Sequence, residues 1–182
     1  MKKLNFMMVM ATVALIAFGF TSKNHSLIRE IGLNIGNKAP ELILKNPKGE
    51  KMALSSFRGK FVLVDFWASW CVPCRRENKN VAAVYEKYKN TKFKGANGLV
   101  IYSVSLDNNA EAWVKAIKDD NLSWDTHVSD LKKGESADIQ QYKVVSIPTN
   151  FLLDENGIII AKNLRGEALD EQIRNLVKDD SN

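Results

Sequence analysis

The chain has 182 residues, 45% of them hydrophobic, enough for one domain with a sizeable core and an extension. Its formal charge is +5, from 26 basic and 21 acidic residues dispersed among one another. Without a basic stripe interleaved with aromatics, the sequence lacks the footprint of nucleic-acid binding, and nucleic acid is excluded as an expected partner.

The chain opens with Lys2 and Lys3 ahead of an apolar stretch from Phe6 to Phe20, interrupted by Thr12. Ala17-Phe18-Gly19 is a small-x-small cleavage site. Residues 1–22 therefore read as a secretion signal, or as an N-terminal anchor where it is kept. The leader ends without a cysteine, so lipid attachment through that residue is excluded. Residues 23–35 are expected to be a linker, and 36–182 the domain. Gly36-Asn37-Lys38-Ala39-Pro40 opens that domain. Leu42 to Leu44, a turn at Pro47-Lys48-Gly49, and Met52 to Leu54 predict a β-hairpin. Ser55 to Lys60 is a short connector.

Phe61 to Trp67 is β-branched and aromatic, and too short for a typical helix. It predicts a buried strand. A turn carrying Cys71-Val72-Pro73-Cys74 follows, and then Val81, Val84, Tyr85 and Tyr88 recur at helical spacing. A helix N-terminus has unpaired N–H groups and a positive dipole end, which favour an anion. A thiolate is such an anion, so Cys71 is expected to have a lowered pKa and to be the attacking sulfur. Cys74, about one turn further in, is expected to be more buried and to resolve the mixed disulfide. Pro73 lacks an N–H, which costs nothing in a first helical turn. These are the chain's two cysteines, and a lone close pair in an exported protein reads as redox-active rather than stapling. Neither His25 nor His127 has ligand-like spacing to them, so no metal is expected. His127 lies in a polar stretch and reads as a surface residue.

Leu99 to Ser105 predicts a second buried strand. Asp107 or Asn108 is the expected cap of a helix from Ala110 to Asp119, with Trp113, Ala116 and Ile117 on one face. Trp124 to Val128 is an extended piece, and Ser136 is placed to cap a short helix through Tyr142. Thr149 to Leu153 and Gly157 to Ala161 form a hairpin about Asn156-Gly157. Ala168 to Lys178 is a closing amphipathic helix, with Leu169, Ile173, Leu176 and Val177 inward. Strands alternating with helices, then a strand pair, predict an α/β fold with a central mixed sheet flanked by helices.

The segment Phe66-Trp67-Ala68-Ser69-Trp70-Cys71-Val72-Pro73-Cys74, with Arg75, Glu77 and the later Ile147-Pro148-Thr149, resembles the thioredoxin superfamily. Within it, the likeness is to the TlpA/ResA-like thiol–disulfide oxidoreductases of bacterial envelopes, from about residue 36 onward. The resemblance implies a thioredoxin-like fold with an added N-terminal β-hairpin. It also implies a role for Asp65, six residues before Cys71, inside the apolar strand. A carboxylate there is expensive to bury. It would sit under the disulfide with a raised pKa and take the proton of Cys74 through water. Glu77 comes round to much the same helix face as Cys74. Family members often carry an acid there, implicated in thiol pKa or partner contact; a plain solvated first-turn glutamate is the alternative. The Ile147-Pro148 bond is expected to be cis and to offer the backbone of Ile147 to an extended substrate segment. Of the two nearby tryptophans, Trp67 is expected in the core and Trp70 on the surface. Trp70, Val72, Pro73, Ile147 and Pro148 form the candidate substrate-contacting set. The family helix usually has a proline where this chain has Lys79, which predicts a straighter helix.

The function implied is a periplasmic, monomeric protein-disulfide reductase. Its electron donor would be a membrane thiol-transfer protein and its clients could include apocytochrome c. No cofactor is called for. The dipeptide Val72-Pro73 has no histidine to stabilise a thiolate, which argues against a disulfide donor. A peroxiredoxin-like thiol peroxidase is the enzyme alternative, but Val64 and Ala68 stand where that family has proline and a hydroxyl residue. A binding module with an idle disulfide is the alternative without catalysis.

Overall fold

A computed structural model describes residues 29–178. The leader, its cleavage site and His25 lie outside the described residues. A hairpin comes first, β1 (Ile43–Lys45) and β2 (Lys51–Ala53), with Leu44 opposite Met52. The connector after it closes into a 3-10 turn, Leu54–Phe57. β3 (Phe61–Trp67) leads into α1 (Val72–Tyr88). Then come β4 (Leu99–Ser105), α2 (Ala110–Asp119), β5 (His127–Ser129) and the single-turn α3 (Ala137–Gln140). The chain closes with β6 (Thr149–Leu153), β7 (Ile159–Lys162) and α4 (Gly166–Arg174).

The strands form one mixed sheet of order β2-β1-β5-β4-β3-β6-β7. β3 lies inside it, next to the central strand β4, parallel to β4 and antiparallel to β6. A strand covered on both faces reads as an unbroken apolar run, and all seven residues of β3 are buried. Its period of two sorts them. Phe61, Leu63 and Trp67 pack with α1, α2 and α4 through Val81, Val84, Trp113, Leu169 and Ile173. Val62, Val64 and Phe66 pack on the other face with Leu42, Leu54, Ile139 and Tyr142. Asp65 falls in the first set by parity, on the face that α1 covers.

Several expectations need correction. His127 is buried, not on the surface: it sits in β5, stacked on Trp124 with ring centroids 5.2 Å apart. The ring is apolar enough to fill a core position once the neutral tautomer's Nε2–H meets the Leu122 carbonyl, at 3.3 Å. The cap of α2 is Asn109, whose Oδ1 accepts from the Ala112 N–H at 2.9 Å; Asp107 is buried elsewhere. Helix α4 starts at Gly166 and ends at Arg174. Leu176 and Val177 still pack inward, but in a closing turn rather than in the helix, and Val177 bridges Phe93 while the Lys94 N–H donates to the Leu176 carbonyl. The segment before Gly36 carries contacts from Arg29 on: Arg29 Nη1 donates to the Gly36 carbonyl at 3.3 Å, Ile31 bridges Lys38, and Lys162 Nζ donates to the Leu33 carbonyl at 2.9 Å.

Candidate active site

The end of β3 and the start of α1 are joined by four residues, and this junction is heavily tied. Asp107, buried just past β4, accepts from the Ser69 N–H at 2.9 Å and the Ser69 hydroxyl at 2.6 Å. It also accepts from the Ser105 hydroxyl at 2.6 Å. On the far side, Arg75 donates to the Ser69 carbonyl at 3.2 Å while its guanidinium grips Asp120 at 2.5 and 2.8 Å. Asn78 holds the same carboxylate at 2.7 Å. The turn is thus fixed by two carboxylates from separate loops, and Arg75 is engaged in structure.

Cys71 is the N-cap of α1, and its sulfur accepts from the Cys74 N–H at 3.2 Å. Pro73 lies in the first helical turn, as its missing N–H allows. The two sulfurs are joined in a disulfide, S–S 1.99 Å. Cys71 retains slight exposure at 5%, and Cys74 has none. The helix continues without interruption through Lys79 to Tyr88.

The Ile147–Pro148 bond is cis. The Ile147 carbonyl oxygen lies 3.8 Å from Cys71 Sγ. Arg165 holds this loop by donating from Nη2 to the Pro148 carbonyl and from Nη1 to the Leu164 carbonyl at 2.6 Å. Trp67 is wholly buried, whereas Trp70 and Val72 project on either side of Cys71, 62% and 63% exposed.

Asp65, two residues before the end of β3, is buried, and its Oδ1 has no hydrogen-bond partner. Burial pushes its carboxyl up to about 7. The Arg165 charge pulls the other way, the Glu77 charge reinforces the rise, and the Asn150 side chain opposes it. Asn150 faces Asp65 in register across β3 and β6. Its amide is committed both ways to Leu164, at 2.9 and 2.8 Å, and so fixes the chain leading to Arg165. Glu77 is half-buried. Its Oε1 accepts from the Gly166 N–H at 2.8 Å, and Oε2 from Asn80 at 2.9 Å. A carboxyl that changes charge near neutral pH is suited to move a proton.

The fold therefore brings Cys71, Cys74, Asp65, Glu77, Trp70, Val72, Pro73, Ile147 and Pro148 to one end of the sheet. Sequence reasoning missed three residues that organise it. Asn150, a polar residue inside the apolar strand Thr149–Leu153, was a usable signal. Asp107, directly after a buried strand, was another, hidden by its plausibility as a helix cap. Arg165 carries no local mark, because it reaches the site only through the β6–β7–α4 connection.

Residues 35–162 match the AhpC/TSA family. The thiol-disulfide oxidoreductase ResA of Bacillus thuringiensis subsp. konkukian is 31% identical over 176 residues, which cover 97% of this chain and 95% of the relative. The solved thioredoxin domain of a thiol-disulfide oxidoreductase from Bacteroides vulgatus superposes with a TM-score of 0.72 at 35% identity, over 81% of this chain and 100% of that one. A thiol-disulfide oxidoreductase from Bacteroides fragilis gives 0.68 at 39% identity, over 77% and 99%. The chain therefore belongs to the AhpC/TSA family, as one of its thioredoxin-fold, ResA-like thiol–disulfide oxidoreductases.

Proposed function

We propose that this oxidoreductase is a protein-disulfide reductase of the cell envelope. Residues 1–22 direct it to the periplasm, either cleaved or kept as an anchor, and the domain of residues 36–182 works there as a monomer. None of the described helices is long and apolar enough to cross a membrane. The observation that carries the reading is the Cys71–Cys74 disulfide at the start of α1, with Cys71 outermost and the Asp65 carboxyl buried beneath.

In the reduced enzyme the Cys71 thiolate attacks one sulfur of a client disulfide. The client S–S bond breaks, a Cys71–client disulfide forms, and the first client thiolate leaves. Asp65 takes the Cys74 proton, and the Cys74 thiolate then attacks Cys71 Sγ. The second client thiolate departs, and the enzyme is left with the disulfide described here. Two electrons pass to the client, and a membrane thiol-transfer donor restores the dithiol. Trp70, Val72, Pro73, Ile147 and Pro148 form the contact face for clients, among which an apocytochrome c with its cysteine pair fits chemically. Glu77 tunes the buried carboxyl through its charge.

Val72-Pro73 gives the reducing direction, since neither residue stabilises a thiolate. The test is the reduction potential of Cys71–Cys74 in a dithiol buffer. A value near −270 mV, about that of thioredoxin, supports the reductase; one near −120 mV, about that of a strong oxidant, makes it a disulfide donor. Peroxide chemistry is disfavoured because Val64 and Ala68 are buried and carry no hydroxyl to orient a peroxide.

A further inference from the structure

The segment Val144 to Ser146 stands between two grooves and helps to wall both. One, about 640 Å³, is apolar, lined by Trp70, Leu106 and Ile147, with Lys133 at its edge. The other, about 400 Å³, is lined by Lys143, Lys162 and Arg165 and by no carboxylate. Among the described residues, none of these three cations lies within ion-pairing distance of an acid. Lys162 spends a hydrogen bond on a backbone carbonyl, which leaves its charge uncompensated there, while the charge of Arg165 also acts on the buried Asp65. Lys143 is exposed. Val145, in the shared wall, is 98% exposed. The N–H groups of Val144 to Ile147 make no backbone hydrogen bond within the described residues.

Unpaired backbone beside a reactive sulfur accepts an extended chain as an added strand. Successive side chains of a strand point to opposite sides. The client cysteine must point toward Cys71, on the Trp70 side. Residues two positions away share that side and meet the apolar groove. Residues one position away point to the other side and meet the three cations.

Building on the proposed disulfide-exchange function, we infer that the preferred client is an unfolded protein segment with an acidic residue next to its cysteine and an apolar residue two positions away. The pairing of an apolar groove with a cationic one supplies the selectivity. Charge draws in the acidic flank, and burial against Trp70 holds the apolar one.

The experiment uses a Cys74→Ser variant, which stops at the mixed disulfide. The probes are short peptides carrying one cysteine capped by an aromatic thiol. Attack of the Cys71 thiolate on the peptide sulfur breaks that bond, forms the Cys71–peptide disulfide and releases the coloured thiolate. Peptides reading Leu-Glu-Cys-Glu-Leu and Leu-Lys-Cys-Lys-Leu are compared at low salt. The acidic peptide is expected to react about fivefold faster or more, the order that a few exposed ion pairs supply, and high salt closes the gap. Adding Lys143→Glu narrows or inverts the ratio. Serine in place of the leucines slows the acidic peptide. Equal rates for the two charged peptides, or a ratio untouched by Lys143→Glu, overturn the acidic preference. Indifference to the leucines overturns the apolar half. In parallel, the wild-type protein is assayed on hydroxyethyl disulfide, which is small and uncharged. Failure there rejects the exchange function itself; activity there with indiscriminate peptides rejects only the selectivity.

Discussion

Asp65 is one carboxyl group whose setting gives it a task. It stands at the strand position that parity turns toward α1, with one oxygen unpartnered, and burial lifts it to about 7. In the proposed cycle it serves only the step in which Cys74 loses its proton. Asp65→Asn should therefore leave attack by Cys71 intact and slow resolution on the order of a hundredfold, the lower end for a positioned base. Stopped-flow separation of the two phases decides this, and equal slowing of both would remove Asp65 from the role. The residue was legible in the sequence because an acid amid Phe61 to Trp67 has no cheap explanation. Its counter-charge was not. Arg165 lies a hundred positions later and is brought in by the pairing of β6 with β3 and by Asn150 holding Leu164.

Helix α4 shows how one element borrows from another. Its N-cap, Arg165, makes no side-chain capping bond, so the first N–H groups need an outside acceptor. Glu77 of α1 supplies one, through the bond to the Gly166 N–H. The same carboxylate raises Asp65 by its charge. Glu77→Ala should lose about 1 kcal/mol of stability, as a removed cap does. Glu77→Gln keeps an acceptor and should cost less, while lowering the Asp65 pKa because the neighbouring negative charge is gone. Denaturant midpoints and the pH profile of resolution read the two effects separately. An unchanged profile in Glu77→Gln would leave Glu77 as a cap alone. Element types followed from periodicity, as with Leu99–Ser105 and Ala110–Asp119. The C-terminal end of α4 falls short of the expected Lys178 because pairing of Val177 with Phe93, invisible locally, follows directly on the helix.

For the whole molecule, two buried groups set opposing pH responses. Asp65, held at about 7 against an ordinary 3.8, favours its neutral form in the folded state. Its contribution to stability is complete below 3.8 and is lost as pH rises to about 7. His127 is pushed down to about 4 from 6.5 by burial, so it too is favoured neutral. Its contribution is complete above 6.5 and is lost as pH falls toward 4. Between about 4 and 6.5 the two slopes, each near 1.4 kcal/mol per pH unit, cancel. Relative to wild type, Asp65→Asn should gain stability steadily from pH 4 to 7, on the order of 4 kcal/mol in all. His127→Gln should gain it from pH 6.5 down to 4, by roughly 3 kcal/mol. Urea midpoints of the oxidised proteins across this range test both; a constant difference between variant and wild type would refute either assignment. The strand–Cys-x-x-Cys–helix unit and the out-of-place acid are legible in the chain, because period, turn chemistry and burial cost act over a few neighbouring residues. That His127 is core, that Asp107 clamps the turn, and which charges surround Asp65 and line the two grooves came from the fold instead. Those follow from strand order and from segments distant along the chain meeting at one end of the sheet, which no local pattern encodes.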